Sequence, residues 1–160
     1  MAATSVPEKE ALYLLFSLGA DRYALAANAV REVLALQRLK QIPEAPSWVA
    51  GLLAYRGQMV PVLDLCQRVL GRSARNSMNT RLVLVQYSPV HTLGLILEQA
   101  SQVQRLPSQA QQHMGLATGG SYLGPVQAQA TSGVVQHINI AGLLPPDVAE
   151  LLFPTEDAAP

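Results

Sequence analysis

Apolar residues in this chain fall in short runs separated by turn residues, the pattern of a protein built from strands. Leu12-Tyr13-Leu14-Leu15-Phe16-Ser17-Leu18 is a nearly continuous apolar run, Gly19-Ala20-Asp21 is a turn, and Arg22-Tyr23-Ala24-Leu25-Ala26 returns as the second strand of a hairpin. Val30-Arg31-Glu32-Val33-Leu34 alternates apolar and polar, as a half-buried strand does. Ala and Leu are frequent across residues 24–36, which leaves a helix open there, but the neighbouring turn signals favour a strand. Pro43 and Pro46 bracket a loop. After it, Ser47 is expected to cap one helical turn through Trp48, Val49 and Ala50 that ends at Gly51.

Residues 51–65 hold two apolar runs on either side of Arg56-Gly57-Gln58, which reads as a hairpin with Gly57 in its turn. Asp64 is expected to cap a short helix over residues 66–70 that stops at Gly71. Residues 71–80 are polar and read as a flexible loop. A second set of strands follows: 82–85, a turn at Ser88-Pro89, 93–97, then another turn before Val103 and Leu106. Residues 107–121 are rich in Gln, Ser, Gly and Ala and read as a mobile loop. Residues 126–130 and 134–140 form a last hairpin across Ser132-Gly133, and Pro145-Pro146-Asp147 starts a helix carrying Val148, Leu151, Leu152 and Phe153. Residues 1–10 and 154–160 are expected to be flexible ends, leaving 11–153 as one domain.

The two halves echo each other. Ala24-Leu25 followed by Val33 matches Gly94-Leu95 followed by Val103 at an offset of 70, and Leu63-Asp64-Leu65 matches Ile138-Asn139-Ile140 at an offset of 75. The approximate repeats are 12–71 and 81–153. A unit of roughly 70 residues is marginal alone, so two gain by burying a common seam. The expected core is Leu25, Val33, Leu53, Val62, Leu84, Leu95, Val103 and Ile138.

Composition narrows the function. Hydrophobic residues make up 49% of the chain, enough for a packed interior, and a charged fraction of 14% with zero net charge argues against disorder and against a general nucleic-acid surface. A single cysteine, Cys66, allows no internal disulfide, which fits a reducing compartment. No leader pattern opens the chain and no apolar run approaches a membrane span, so a cytoplasmic location is expected. The histidines, His91, His113 and His137, are scattered, and no metal-ligand spacing or phosphate-binding loop is present. The expectation is therefore no catalysis, no metal and no cofactor.

One motif carries a resemblance. Gly51, Arg56, Gly57, Pro61, Val62, Asp64 and Leu65 fall at the fixed positions of Gly-x-x-x-x-Arg-Gly-x-x-x-Pro-Val-x-Asp-Leu. This resembles the signature of the CheW-like domain, the adaptor of bacterial chemosensory arrays, and the resemblance runs from about Leu12 to about Leu152. Ala54-Tyr55 departs from the Asn-Leu usual there; with residues 107–121 it points to a divergent member serving an alternative chemosensory system. The resemblance implies a mainly β fold of two intertwined SH3-like five-stranded barrels with a short helix after each barrel hairpin. It implies an adaptor without activity, joining a chemoreceptor's cytoplasmic tip to the regulatory domain of a CheA-type histidine kinase, with no nucleic acid and no membrane insertion.

The implied partner-binding residues are Val30, Glu32, Gly51, Arg56, Gly94 and Val103, with Gly57 and Asp64 as turn and cap. Read from pattern alone, Arg56 is a solvated turn residue, Glu32 the solvent face of an alternating strand, and Gly94 a close-packed strand position; Gly51 stays open between groove lining and strand start. The competing function is a generic SH3-like peptide-binding module, since that fold hosts many activities. Aromatic content of 5% weighs against oligonucleotide binding.

Overall fold

The computed structural model describes residues 10–107, 122–129 and 133–154, and these contain nine strands and two short helices. β1 (Glu10–Leu18) and β2 (Asp21–Ala26) form the first hairpin, and a 3-10 turn over Ala27–Ala29 leads into β3 (Val30–Leu34). β4 (Val49–Tyr55) and β5 (Gln58–Asp64) form the second hairpin and feed α1 (Leu65–Leu70). β6 (Arg81–Ser88) and β7 (His91–Pro107), then β8 (Leu123–Gln129) and β9 (Gly133–Ile138), form two more, before α2 (Pro146–Leu152).

β7 organises the topology. Its first half pairs with β6 and, in parallel, with β5, while its second half pairs with β1. The changeover lies at Glu98, which stands opposite Ser17, and Gln102, which stands opposite Leu15; the extra residues between them make a bulge in which Gln99 takes a φ of 50°. A bulge bends a strand and turns it onto a new partner. One strand thus serves two five-strand groups, β3-β6-β7-β5-β4 and β7-β1-β2-β9-β8. The sheet is not closed, and its two five-strand groups are compatible with the SH3-like description.

The repeat is visible in the register. Ala24 stands opposite His137 across the parallel pair β2–β9. Their equivalents by the offsets of 70 and 75, Gly94 and Val62, stand opposite each other across the parallel pair β7–β5. Each half lends a hairpin to the other, so the groups are intertwined. Burial follows suit. Tyr13, Leu15, Ala24, Leu106 and Val135 fill one group, and Leu53, Val60, Val62, Leu82 and Leu84 the other. The largest cluster takes side chains from both, among them Phe16, Leu25, Leu63, Leu65, Val83, Leu95 and Leu97, and is the common seam. Phe16 stacks on Tyr23 with ring centroids 5.8 Å apart; α2 packs on the cluster through Val148, and Phe153 just beyond the helix stacks on Tyr87 and His91.

Several expectations are corrected. Val33 and Val103 are exposed, at 46% and 60%. On β3 burial alternates strictly, so Val30, Glu32 and Leu34 share the half-buried face and Val33 faces outward. Val103 lies beyond the bulge, opposite Leu14 on the outer stretch of β7. Leu25, Leu53, Val62, Leu84, Leu95 and Ile138 are buried as expected. Ser47 caps no helical turn: Val49 already pairs with Leu63, because a β-branched residue beside a free edge extends the strand. No turn separates Leu97 from Val103; the strand bulges there and continues.

Residues 71–80 are not a loose loop. The Asp64 carboxylate accepts from the Gln67 amide, capping α1, and from the Ala74 amide at 2.9 Å. Glu98 accepts from Arg72 at 3.0 Å and from the Arg75 amide at 2.6 Å, and Thr80 is buried. Backbone groups with these partners stay put despite a polar sequence. The expected loop 107–121 lies outside the described residues apart from Pro107, and Ala130 and Ser132 of the last hairpin also lie outside them.

Candidate functional site

The β4–β5 hairpin turns on two residues, since Tyr55 pairs with Gln58. Arg56 and Gly57 both have positive φ, 51° and 80°, the signature of a turn whose twist matches that of the strands. A Cβ at Gly57 would meet nothing within 4 Å, so it is the backbone angle and not space that favours glycine. Arg56 occupies the left-handed position that glycine or asparagine usually takes, and its side chain projects with 76% exposure.

Arg56 meets Glu32 there. One guanidinium nitrogen of Arg56 lies 3.7 Å from Glu32 Oε1, and its central carbon lies 5.1 Å from the centre of the Tyr55 ring. The Tyr55 hydroxyl donates to the same Glu32 oxygen. Glu32 therefore sits half-buried on the inward face of β3 without being unpaired, which is how a carboxylate replaces the expected Val33 on that face. Arg31, Gln58, Val60, Leu84 and Thr92 complete an open depression of about 390 Å³ around this cluster. Nothing in it supplies a nucleophile with a base, and its polar groups Glu32, Tyr55 and Arg56 are joined to one another.

The other candidates fall into place by register. Glu32 stands opposite Leu84, Leu84 opposite Gly94, Gly94 opposite Val62 and Val62 opposite Gly51. One row across β3-β6-β7-β5-β4 thus carries Glu32, Gly94 and Gly51. Both glycines are buried, and each is closely packed. A Cβ at Gly94 would lie 2.9 Å from Val62 Cγ2 and 3.2 Å from Leu82 Cδ2. Gly94→Leu is expected to cost about 1–3 kcal/mol or more through overpacking, read by urea denaturation. A Cβ at Gly51 would lie 2.5 Å from the Lys40 carbonyl oxygen. Val30 is half-buried and pairs with Val85, one turn of the strand from Glu32, while Val103 belongs to the other five-strand group.

Three features escaped the sequence reading. Tyr55 stood out only as a departure from a motif, though a hydroxyl beside a hairpin arginine is a signal of a polar cluster. Glu98, 8% exposed, is the hub of a buried network with Arg72, the Arg75 amide and the Cys66 thiol. A lone carboxylate ending the apolar run of residues 93–97 must find such partners. Arg72 holds its carboxyl down at about 2, while burial pushes the Cys66 thiol up to about 12, so that this sulfur is a packing group and not a nucleophile. Arg68 lies between Trp48 and Tyr122, 4.5 and 4.6 Å from their ring centres, so the chain's one tryptophan is half-buried and clamps an arginine.

His137 is buried and bonded to Gln127 Oε1 at 2.8 Å, and burial lowers its pKa. Among the described residues no three of His, Cys, Asp and Glu gather as metal ligands, and no helix is long and apolar enough to cross a membrane.

Comparison with known proteins bears on this arrangement. A family model described as the CheW-like domain matches residues 12–145. Protein FrzA of Myxococcus xanthus is 29% identical over 147 residues, covering 90% of this chain and 90% of that one. Protein PilI of Pseudomonas aeruginosa is 28% identical over 58% of this chain and 51% of its own length. The chemotaxis protein CheW of Klebsiella aerogenes is 23% identical over 61% of this chain and 58% of its own length. The crystal structure of the scaffolding protein TtCheW from Thermoanaerobacter tengcongensis superposes with a TM-score of 0.76 over 92% of this chain and 96% of that one. At 20% identity, that likeness speaks for the fold.

Proposed function

The chain belongs to the CheW-like domain family, and from that premise we propose that it is a non-catalytic adaptor coupling the cytoplasmic tip of a chemoreceptor to a CheA-type histidine kinase. It would act in the cytoplasm, recruited to receptor arrays. The observation that carries the reading is Arg56: a permanently charged, rigid fork held out at the tip of a hairpin with 76% exposure. Such a fork suits a partner's carboxylate through two parallel hydrogen bonds. Relatives named as chemotaxis proteins support the pathway, and the scaffold fold supports a role in joining other proteins.

Arg56→Ala tests it. The variant should fold, with stability within about 0.5 kcal/mol of the parent, as for other exposed positions. Its affinity for a receptor-tip fragment or for the kinase regulatory domain should fall by about 1–3 kcal/mol, as for loss of a charged hydrogen bond. Arg56→Lys keeps the charge and loses the fork, so it should also bind more weakly. Calorimetric titration against both partners gives the answer, and parental affinity of Arg56→Ala for both rejects Arg56 as a docking residue.

A further inference from the structure

We propose that the Tyr55 hydroxyl is a positioning group that holds Glu32 off Arg56 and so keeps the Arg56 fork open for a carboxylate of the partner. The proposal rests on the adaptor reading only for the source of that carboxylate; the local geometry is independent of it.

Two donors compete for one oxygen. The Tyr55 hydroxyl donates to Glu32 Oε1, and the Arg56 guanidinium stands 3.7 Å from the same atom. That separation is within ion-pair reach and longer than a hydrogen bond. An arginine and a carboxylate free to approach close into two parallel bonds of about 2.8 Å, which spends both the fork and the carboxylate. Here the turn delivers Arg56 over the Tyr55 ring, 5.1 Å from its centre, and the hydroxyl of that ring already takes one acceptor site of Oε1, drawing the carboxylate toward the ring. Arg56 is therefore oriented by the ring below it and attracted by Glu32, while its donors toward solvent remain unspent.

The charge of the depression points the same way. Arg31 and Arg56 line it against the single carboxylate of Glu32, so it carries an excess positive charge. Its complement is an anionic side chain, and oriented donors with an unspent fork favour a carboxylate that can accept two bonds. Tyr55 touches no reacting or partner atom in this account; it acts through Glu32.

The experiment uses the full chain. Tyr55→Phe keeps the ring, the strand and the stacking under Arg56, and removes only the donor. Glu32 should then take Arg56 in two bonds, and affinity for the receptor-tip fragment or the kinase domain should drop about five- to tenfold, the loss of roughly one hydrogen bond. Adding Glu32→Gln should restore binding, because the amide no longer competes as a charge. Rotation of the Arg56 guanidinium, read by NMR without any partner, should be fast in the parent and slowed in Tyr55→Phe. If Tyr55→Phe binds as the parent does while Arg56→Ala is impaired, the positioning role falls and the adaptor reading stands. Impairment that Glu32→Gln does not relieve also overturns the proposal, since the hydroxyl would then be a contact or a packing group. If Arg56→Ala itself binds normally, the adaptor reading of Arg56 fails; slowed guanidinium rotation in Tyr55→Phe still upholds the local geometry, and unchanged rotation overturns it.

Discussion

Glu98→Ala should lower the unfolding free energy by about 3 kcal/mol, one of the two largest single-site losses expected in this chain. The carboxylate is 8% exposed and accepts from two Arg72 nitrogens, at 3.0 and 3.3 Å, and from the Arg75 amide at 2.6 Å. Removing it strands a partly buried guanidinium and an amide at once, and stranded donors cost more than the bonds were worth. It also frees the segment between α1 and β6, which hangs on Glu98 and on Asp64. The pH dependence has a definite sign. Arg72 holds the Glu98 carboxyl at about 2, below its ordinary 4.5, so its contribution is complete above that ordinary value and is lost as the pH falls from there through about 2. Urea unfolding of the parent should weaken across that window, and Glu98→Gln should flatten the dependence. A loss under 1 kcal/mol for Glu98→Ala would show that the segment does not depend on this hub.

That network explains why the sequence read as flexible where the molecule is ordered. Residues 71–80 have few apolar anchors, and local pattern correctly reports that they cannot pack themselves. Much of their order comes from Glu98, more than twenty positions away, and no local signal names a partner that the fold supplies. The strands were legible because apolar runs between turn residues leave little else to form, and the repeat was legible because Ala24 and Gly94 hold equivalent places in two parallel pairs. The face of β3 was not legible. Val33 and Leu34 are adjacent apolar residues that cannot both face inward, and period-2 reasoning alone does not say that Leu34, with Val30 and Glu32, is the one that does. On β7 a bulge, which pattern has no way to sense, hid the continuity of the strand through Gln99. At the site, the motif singled out Arg56, and the resemblance named Glu32 separately. Their meeting, and the Tyr55 hydroxyl between them, needed the inward placement of Glu32 and the order of the strands, which pattern could not supply.

Gly51→Ala should cost still more than Glu98→Ala, about 3–5 kcal/mol, although it adds one methyl group. Two effects combine. Gly51 has a φ of 147°, which a residue with a Cβ rarely adopts, and such strain is worth about 1–3 kcal/mol. The added Cβ would also sit 2.5 Å from the Lys40 carbonyl oxygen and 3.0 Å from Leu39 Cβ. Backbone cannot rotate aside as a side chain can. Lys40 is tied to β4 by a reciprocal pair of hydrogen bonds with Leu52, 2.9 and 2.8 Å long, so displacing its carbonyl breaks them, at about 0.5–1.5 kcal/mol each. Gly57→Ala is the control, because its φ is also positive and nothing stands within 4 Å of its Cβ; it should lose only about 1 kcal/mol. Gly51→Asp, larger and charged beside a carbonyl oxygen, should fail to give a native circular dichroism spectrum. Urea denaturation of the two alanine variants separates the accounts: equal small losses would mean that the Lys40 strand yields easily and that glycine at 51 answers to a partner and not to the fold.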